Sequence, residues 1–207
     1  MGANLNDVSL EMLDPAELTP EQTCARIERL TTAMMSFWKD AHGWAPADAA
    51  GLLSRSMLDE QASLSSSLCR WLDADSAGDL ILAWVNLGVL VEGQLKLLLA
   101  VYLDDFKSDS AGMLNDDGKK IYGNRPDKLM LEKLKTFCQT QVWDASDPWH
   151  DYVARIQSRR NAIHTFQQKE IGTFEEWRSE LTEHLKFVEH VNLLLPYPDD
   201  VYVPRSF

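Results

Sequence analysis

The apolar residues of this chain recur at steps of three and four, and this periodicity restricts its fold more than any other feature. In the first such segment, which begins at Pro20, the apolar positions are Cys24, Ile27, Leu30, Met34 and Phe37. Residues three and four apart share one face of a helix, so this stripe predicts an amphipathic helix. The sequence has no sustained alternation of apolar and polar residues to indicate strands. It therefore predicts an all-α fold.

Breaks in the periodicity predict about six helices in one compact bundle. The second helix is expected to open at Pro46 and to run through Trp71, and the third to begin at an N-cap, Ser76, and to reach about Phe106. A fourth carries an apolar stripe that includes Leu134. We assign residues 1–19 to an N-terminal lead-in, 20–195 to the all-α domain and 196–207 to a proline-rich C-terminal tail.

The last two predicted helices have local start signals. The fifth is expected to begin at Asp147-Pro148, with a cap followed by proline at the first position, and to run to about Gln168. Thr173 and Glu176 resemble a capping box for the sixth helix, which should end near residue 195.

The most apolar run, LILAWVNLGVLV (80–91), is too short by itself to span a bilayer, so we interpret it as part of a buried core helix and expect no membrane association. The N-terminus has neither a basic start nor an apolar core, and we expect no signal peptide. Three widely spaced cysteines form no disulfide framework, which favours a reducing, cytoplasmic location.

The net charge of −12 excludes an extended basic surface for duplex DNA, because phosphate binding needs clustered lysines and arginines. Two stretches depart from this acidic balance. Residues 155–169 contain four basic residues and no acidic one, and residues 119–135 contain six basic and two acidic ones. The two stretches together can form an electropositive cleft.

The sequence gives no support for a metal or a cofactor. The segment GMLNDDGKK (112–120) has the wrong glycine spacing for a phosphate-binding loop, and Lys120 stands where a serine or threonine should be. Glu180 and His184 are four residues apart, but no second histidine completes a zinc motif. We therefore expect no metal site and no cofactor.

The segment SRRNAIHTF (158–166) carries the candidate chemistry. Histidine exchanges protons near neutral pH and arginine offers a planar donor fork for phosphate, so the two can cleave RNA without a metal. We predict His164 as the proton carrier, Arg159 as the group that stabilises the charged transition state, and Asn161 as the residue that fixes the phosphate or the imidazole. On one helix Arg160 and His164 would be i,i+4 neighbours. A symmetric dimer can supply a second histidine.

This segment resembles the motif of the HEPN superfamily, the "higher eukaryotes and prokaryotes nucleotide-binding" domains, in which an arginine precedes a histidine by four to six intervening residues. Arg159 and His164 match this spacing; Arg160-Asn161 resembles the common Arg-Asn pair, so Arg160 is the alternative motif arginine. The resemblance implies a helical bundle, a homodimer with facing motifs, and RNA or a nucleotide as ligand, with Arg155 and Arg160 among the binding residues.

The same resemblance assigns a role to Glu92, the lone acidic residue within the apolar third helix. Many HEPN domains have a polar residue on this helix that contacts the motif arginine or histidine, and Glu92 is the candidate, included among the binding residues. The alternative is that its carboxylate reaches solvent at the helix edge. Phe166 stands where related toxins often carry a tyrosine that is modified by their antitoxin, which argues against that form of regulation.

Two functions are thus predicted. The first is a metal-independent endoribonuclease of HEPN type, acting as a toxin or antiviral defence effector, with an antitoxin protein as a further partner. The second is a non-catalytic HEPN-like module that binds a nucleotide, RNA or a protein. A third interpretation, in which the motif is only structural, stays open.

Overall fold

The computed structural model describes residues 14–164, 166 and 168–205, and within them the chain forms eight α-helices. The helices are α1 (Pro20–Lys39), α2 (Ala47–Leu53), α3 (Leu58–Ser66), α4 (Ala77–Val101), α5 (Leu103–Ser110), α6 (Leu131–Gln141), α7 (Trp149–Arg160) and α8 (Phe174–Leu194). Short 3-10 segments join several of them. The described part of the chain contains no strand, only one isolated bridge between Leu114 and Lys120. The all-α prediction is confirmed, and the count of about six helices is wrong.

The long helix α4 is the centre of the fold. It packs against α2, α3, α6, α7 and α8, and apolar residues such as Leu87, Leu90, Val91 and Leu95 are fully buried around its circumference. A helix that is apolar on all sides is expected in a core. The central run therefore does belong to a buried helix, as predicted.

The expectation about membrane length needs a correction, because it counted only residues 80–91. The whole of α4 has 25 residues and is, by length and composition, apolar enough to cross a bilayer. Of its most apolar stretch, 61% is buried inside the fold, and the core helix of a soluble protein passes the same test.

Three helix starts follow the local signals in the sequence. Ser76 accepts a hydrogen bond from the backbone N–H of Asp79, and Thr173 and Glu176 form a reciprocal capping box. The helix α1 begins at Pro20 as predicted, and Thr19 caps it. The fifth predicted start is wrong in detail: Pro148 occupies the cap position without a side-chain bond, while Asp147 accepts from the backbone of Asp144.

Two predicted helices are divided. The helix expected from Pro46 to Trp71 stops after Leu53, where the Ser56 hydroxyl donates to the Leu52 carbonyl and competes with helix continuation. The helix expected to reach Phe106 breaks at Tyr102, whose hydroxyl donates to the Leu194 carbonyl at 2.7 Å. The second break directs a side chain to a distant helix, α8, which the periodicity does not reveal.

The boundaries at the two ends can be compared only in part. Residues 1–13 of the predicted lead-in and residues 206 and 207 of the tail lie outside the described residues. In the described part of the tail, the Pro204 carbonyl accepts a hydrogen bond from Asn192 of α8 at 2.9 Å, which holds this segment against the domain.

Candidate functional site

The helix that carries the candidate motif ends earlier than the sequence predicts. Trp149, Tyr152, Val153 and Ile156 bury one face of α7, but Ile163, the next apolar position at helical spacing, is 44% exposed. Of residues 161–164 only the small Ala162 is buried, and a further helical turn with so little packing is marginal in water. The helix therefore ends at Arg160 instead of near Gln168, and residues 161–163 form one 3-10 turn.

This early end changes the expected relation between Arg160 and His164. His164 follows the 3-10 turn with φ −86° and ψ 69°, and its backbone N–H donates to the Asn161 carbonyl at 3.2 Å. The two side chains are therefore not i,i+4 neighbours on one α-helix, and that expectation is wrong. Asn161 and His164 are both exposed, and no side-chain hydrogen bond of either is found among the described residues.

Arg160 lies against the central helix α4. Its Nη1 donates to Glu92 Oε2 at 2.5 Å, and its aliphatic part covers Gly88, one helical turn earlier on the same face of α4. Glu92 also accepts from Lys96 at 2.7 Å. The contact expected between Glu92 and a motif arginine is present, and its partner is the alternative arginine, Arg160.

The pair of Glu92 and Arg160 is largely shielded from solvent. Their side chains are 18% and 27% exposed. Burial of Glu92 raises the pKa of its carboxyl, but the hydrogen bonds and charges of Lys96 and Arg160 outweigh this effect and hold that pKa below its usual value. Glu92 is therefore an ionised carboxylate shared by two cations.

Arg159 points to a different neighbour. Its guanidinium lies 5.8 Å from the centre of the Trp84 ring, and its Nη2 is 3.5 Å from Glu170 Oε1 and 3.6 Å from Glu176 Oε2. Gly172, with φ +67°, lies directly against the guanidinium, where a Cβ would be 2.8 Å from Nη1. Arg159 thereby fixes the segment that leads into α8.

Trp84 also holds the segment that leads into α8, because its indole N–H donates to the Ile171 carbonyl at 2.8 Å. Nη1 of Arg159 is buried and has no hydrogen-bond acceptor within the described part of the chain.

Arg155 completes the row of arginines on α7. It makes two bonds to Glu180 of α8, at 2.9 and 3.3 Å. A cavity of about 240 Å³ opens between these helices and is lined by Trp84, Arg155, Arg159, Glu176 and Glu180. Two arginines and two glutamates line it, so this cavity is not electropositive.

The structure thus divides the predicted site residues into separate groups. Arg160 meets Glu92 on α4, whereas Arg155 and Arg159 face glutamates on the α8 side. His164 and Asn161 lie at the open end of α7. The sequence did not single out Lys96, although its position one turn after Glu92 was a readable signal for an ion pair.

No group of three or more histidine, cysteine, aspartate or glutamate side chains is arranged to hold a metal among the residues that the structure describes. Comparison with protein-family models, with curated proteins and with solved structures found no match to this chain.

Proposed function

We propose that this protein is a metal-independent endoribonuclease of HEPN type that cuts RNA at the C-terminal end of α7. One observation carries the proposal: an exposed histidine, His164, follows the single 3-10 turn after a helix that ends in two arginines. An imidazole and a guanidinium are the groups that metal-free cleavage of a phosphodiester needs. A role as a toxin or antiviral effector with an antitoxin partner is implied by the HEPN resemblance and stays a prediction.

The reaction follows from the chemistry of these groups. His164 takes the proton from a ribose 2′-hydroxyl, and the 2′ oxygen forms a bond to the adjacent phosphorus. The bond from phosphorus to the 5′ oxygen breaks, and that oxygen receives a proton from a second acid. The products are a 2′,3′-cyclic phosphate and a 5′-hydroxyl. In a symmetric dimer the second acid is His164 of the other copy.

The contacts of the two arginines favour different roles. Of the Arg160 guanidinium, only Nη1 makes a hydrogen bond within the described residues, and the side chain is 27% exposed. Its other donors are therefore available to a ligand. We assign phosphate contact to Arg160, with Asn161 beside it. Arg159 was the favoured motif arginine by spacing, but it is held between Trp84, Glu170 and Glu176. These contacts favour a positioning role.

The first experiment measures cleavage of several single-stranded RNAs by the purified protein in EDTA. Wild type should produce 2′,3′-cyclic phosphate ends, and His164→Ala should lose activity by about 10²–10⁴-fold, the usual contribution of a general acid or base. His42→Ala, at another exposed histidine, is the matched control and should retain activity. Intact RNA at high wild-type concentration would reject the proposal.

A second experiment separates the arginines. Arg160→Ala should lower kcat and leave the sensitivity of residues 170–176 to limited proteolysis unchanged. Arg159→Ala should expose that segment to limited proteolysis, because its clamp is lost. If Arg159→Ala lowers kcat without any change in proteolysis, Arg159 rather than Arg160 acts on the phosphate.

A non-catalytic binding module is the second candidate, and the ion pairs favour it. Each of Arg155, Arg159 and Arg160 already faces a glutamate, so a bound phosphate must compete with a carboxylate. This candidate predicts that RNA binds to the wild type and is recovered uncut, and that Arg160→Ala weakens the binding.

Sedimentation at the assay concentration tests the dimer that the ribonuclease proposal needs.

A further inference from the structure

Two adjoining cavities near the C-terminal half of α4 are lined by several basic residues. They have volumes of about 420 and 330 Å³ and share one lining residue, Arg55. We call the two together the basic groove. Its charged lining residues are the basic Arg55, Lys96, Lys107, Arg125 and Lys128 and the acidic Asp48 and Asp127. Among the lining residues this is an excess of three positive charges in a chain of net charge −12, although Lys96 and Lys107 are also ion-paired with Glu92 and Asp104, which do not line the cavities.

The two acidic residues of the basic groove are already neutralised. Asp127 accepts two hydrogen bonds from Arg125, at 3.0 and 2.7 Å, and Asp48 accepts one from Lys107 at 2.8 Å. Lys128 is only within 4.0 Å of Asp127 and its side chain is 72% exposed. Arg55 is exposed, and its side chain makes no ion pair or hydrogen bond within the described ranges; only its backbone N–H is bonded, to the Leu52 carbonyl. Its guanidinium is therefore a free donor where the two cavities meet.

The basic groove is connected to the candidate site through Lys96. This lysine lines the larger cavity and donates to Glu92, which also binds Arg160. One carboxylate therefore balances two cations, and this end of the groove keeps a positive charge. Glu92 and Lys96 are one turn apart on α4, about 6 Å along its axis. The groove thus begins next to the arginine that ends α7.

The depth of the groove has a structural cause. Gly93 has no side chain, so Gln61 of α3 approaches the backbone of α4 and donates to the Leu90 carbonyl at 3.0 Å. A side chain at position 93 would collide with the Gln61 amide. The close approach of α3 to α4 forms one wall, and the segment that carries Lys128 forms the other.

We propose that the basic groove binds the phosphate backbone of a single RNA strand and leads it to the end of α7. This inference rests on the proposed ribonuclease function, because it names where the substrate lies outside the cleaved bond. Phosphate contacts from lysine and arginine position a strand without reading its sequence. The strand would contact Arg55 and Lys128 first and reach Arg160 past Lys96.

The test uses charge reversal at the groove in the full chain. Arg55→Glu and Lys128→Glu, alone and together, are made in a His164→Ala background so that the RNA is not cut. Arg70→Glu is the matched control, since Arg70 is also exposed, has no ion pair among the residues described, and lies outside the groove. Circular dichroism and melting temperature verify that each variant folds.

Binding of a fluorescent single-stranded RNA is measured by anisotropy over a range of salt concentrations. Each phosphate contact of a single strand contributes about 0.7 to the slope of log K against log salt. We expect each groove variant to lower that slope by about 0.7 and the double variant by about 1.4. Arg70→Glu should leave the slope unchanged.

The outcomes separate this inference from the proposed function. Equal weakening by the groove variants and by Arg70→Glu, or no weakening by either, would overturn the groove. If a labelled nucleoside triphosphate binds more tightly than RNA and loses binding in the same variants, the ligand is a free nucleotide and the RNA assignment is wrong. RNA that binds through Arg55 and Lys128 but is never cut by wild type supports the groove and rejects the ribonuclease.

Discussion

The approach of α7 to α4 depends on the absence of a side chain at Gly88, and Gly88→Ala tests this directly. A Cβ at position 88 would lie 2.5 Å from Cδ, 3.0 Å from Cγ and 2.9 Å from Cβ of Arg160. Ordinary van der Waals contacts of a Cβ are 3.4–4 Å. Rotation of the side chain can move Cγ and Cδ, but Cβ is fixed to the backbone of α7. The two helices must therefore separate.

Two opposing effects set the size of the change. Overpacking of a well-packed contact costs about 1–3 kcal/mol. Replacement of glycine by alanine within a helix gains about 1 kcal/mol or slightly less, because alanine loses less conformational freedom on folding. The difference between the two effects predicts that Gly88→Ala lowers the free energy of unfolding by about 0–2 kcal/mol. For a domain of this size, that is a fall in melting temperature of up to roughly 8 °C.

The same helix supplies a control. At Gly78, in the first turn of α4, an added Cβ would meet only the Ser76 hydroxyl at 3.8 Å, an ordinary contact. Gly78→Ala should therefore be neutral or stabilising. Urea unfolding measures both variants, and the Arg160→Ala background measures the coupling, since it removes Cγ and Cδ and should reduce the cost at position 88.

Two results would refute this prediction. In the first, Gly88→Ala is as stable as Gly78→Ala. In the second, Gly88→Ala lowers the free energy of unfolding equally with and without the Arg160 side chain. Either outcome would mean that α7 does not lie against α4 at this glycine.

Three further predictions concern charged and reactive groups. Glu92→Gln should lower the free energy of unfolding by about 1–2 kcal/mol, because it leaves two partly shielded cations without their carboxylate. Since the pKa of Glu92 is lowered in the folded state, the wild type, but not this variant, should lose that stability as the pH falls below about 4.5. Burial lowers the pKa of His184 to about 3 from 6.5, so the unfolded state binds more protons than the folded state between about pH 7 and pH 5. Over this range the free energy of unfolding of the wild type should fall by about 2 kcal/mol more than that of His184→Gln, whose amide can still bond the Tyr152 hydroxyl. Equal falls in urea titrations would contradict this. Native protein should react with a thiol reagent at one cysteine, the exposed Cys69, because the other two are buried with pKa values near 12; a Cys69→Ser variant that still reacts rapidly would disprove the packing.

The candidate site could be anticipated only in part. The contact between Glu92 and a motif arginine follows from the HEPN resemblance, and Arg160 fulfils it. The spacing of the motif does not show which of the two arginines contacts Glu92. Consecutive residues of a helix point about 100° apart, so the rotation of α7 between its neighbours sends Arg160 toward α4 and Arg159 toward the segment before α8. That rotation is set by packing and not by the motif.

The basic groove illustrates the same limit. The stretch 119–135 was visible as basic, and Arg125 and Lys128 from it do line the groove. Arg55, Lys96 and Lys107 are far from that stretch in the chain, and only the packing of α2, α4 and α5 brings them to it.

The sequence alone determined the features that depend on near neighbours in the chain: the helical class, the buried run within α4, and the helix starts at Ser76 and Thr173, where a side chain caps its own backbone. The tertiary structure decided where helices end and which charges meet. A helix continues only while its apolar face has a partner, so α7 stops at Arg160, and an ion pair between residues 92 and 160 exists only once two distant helices are packed together.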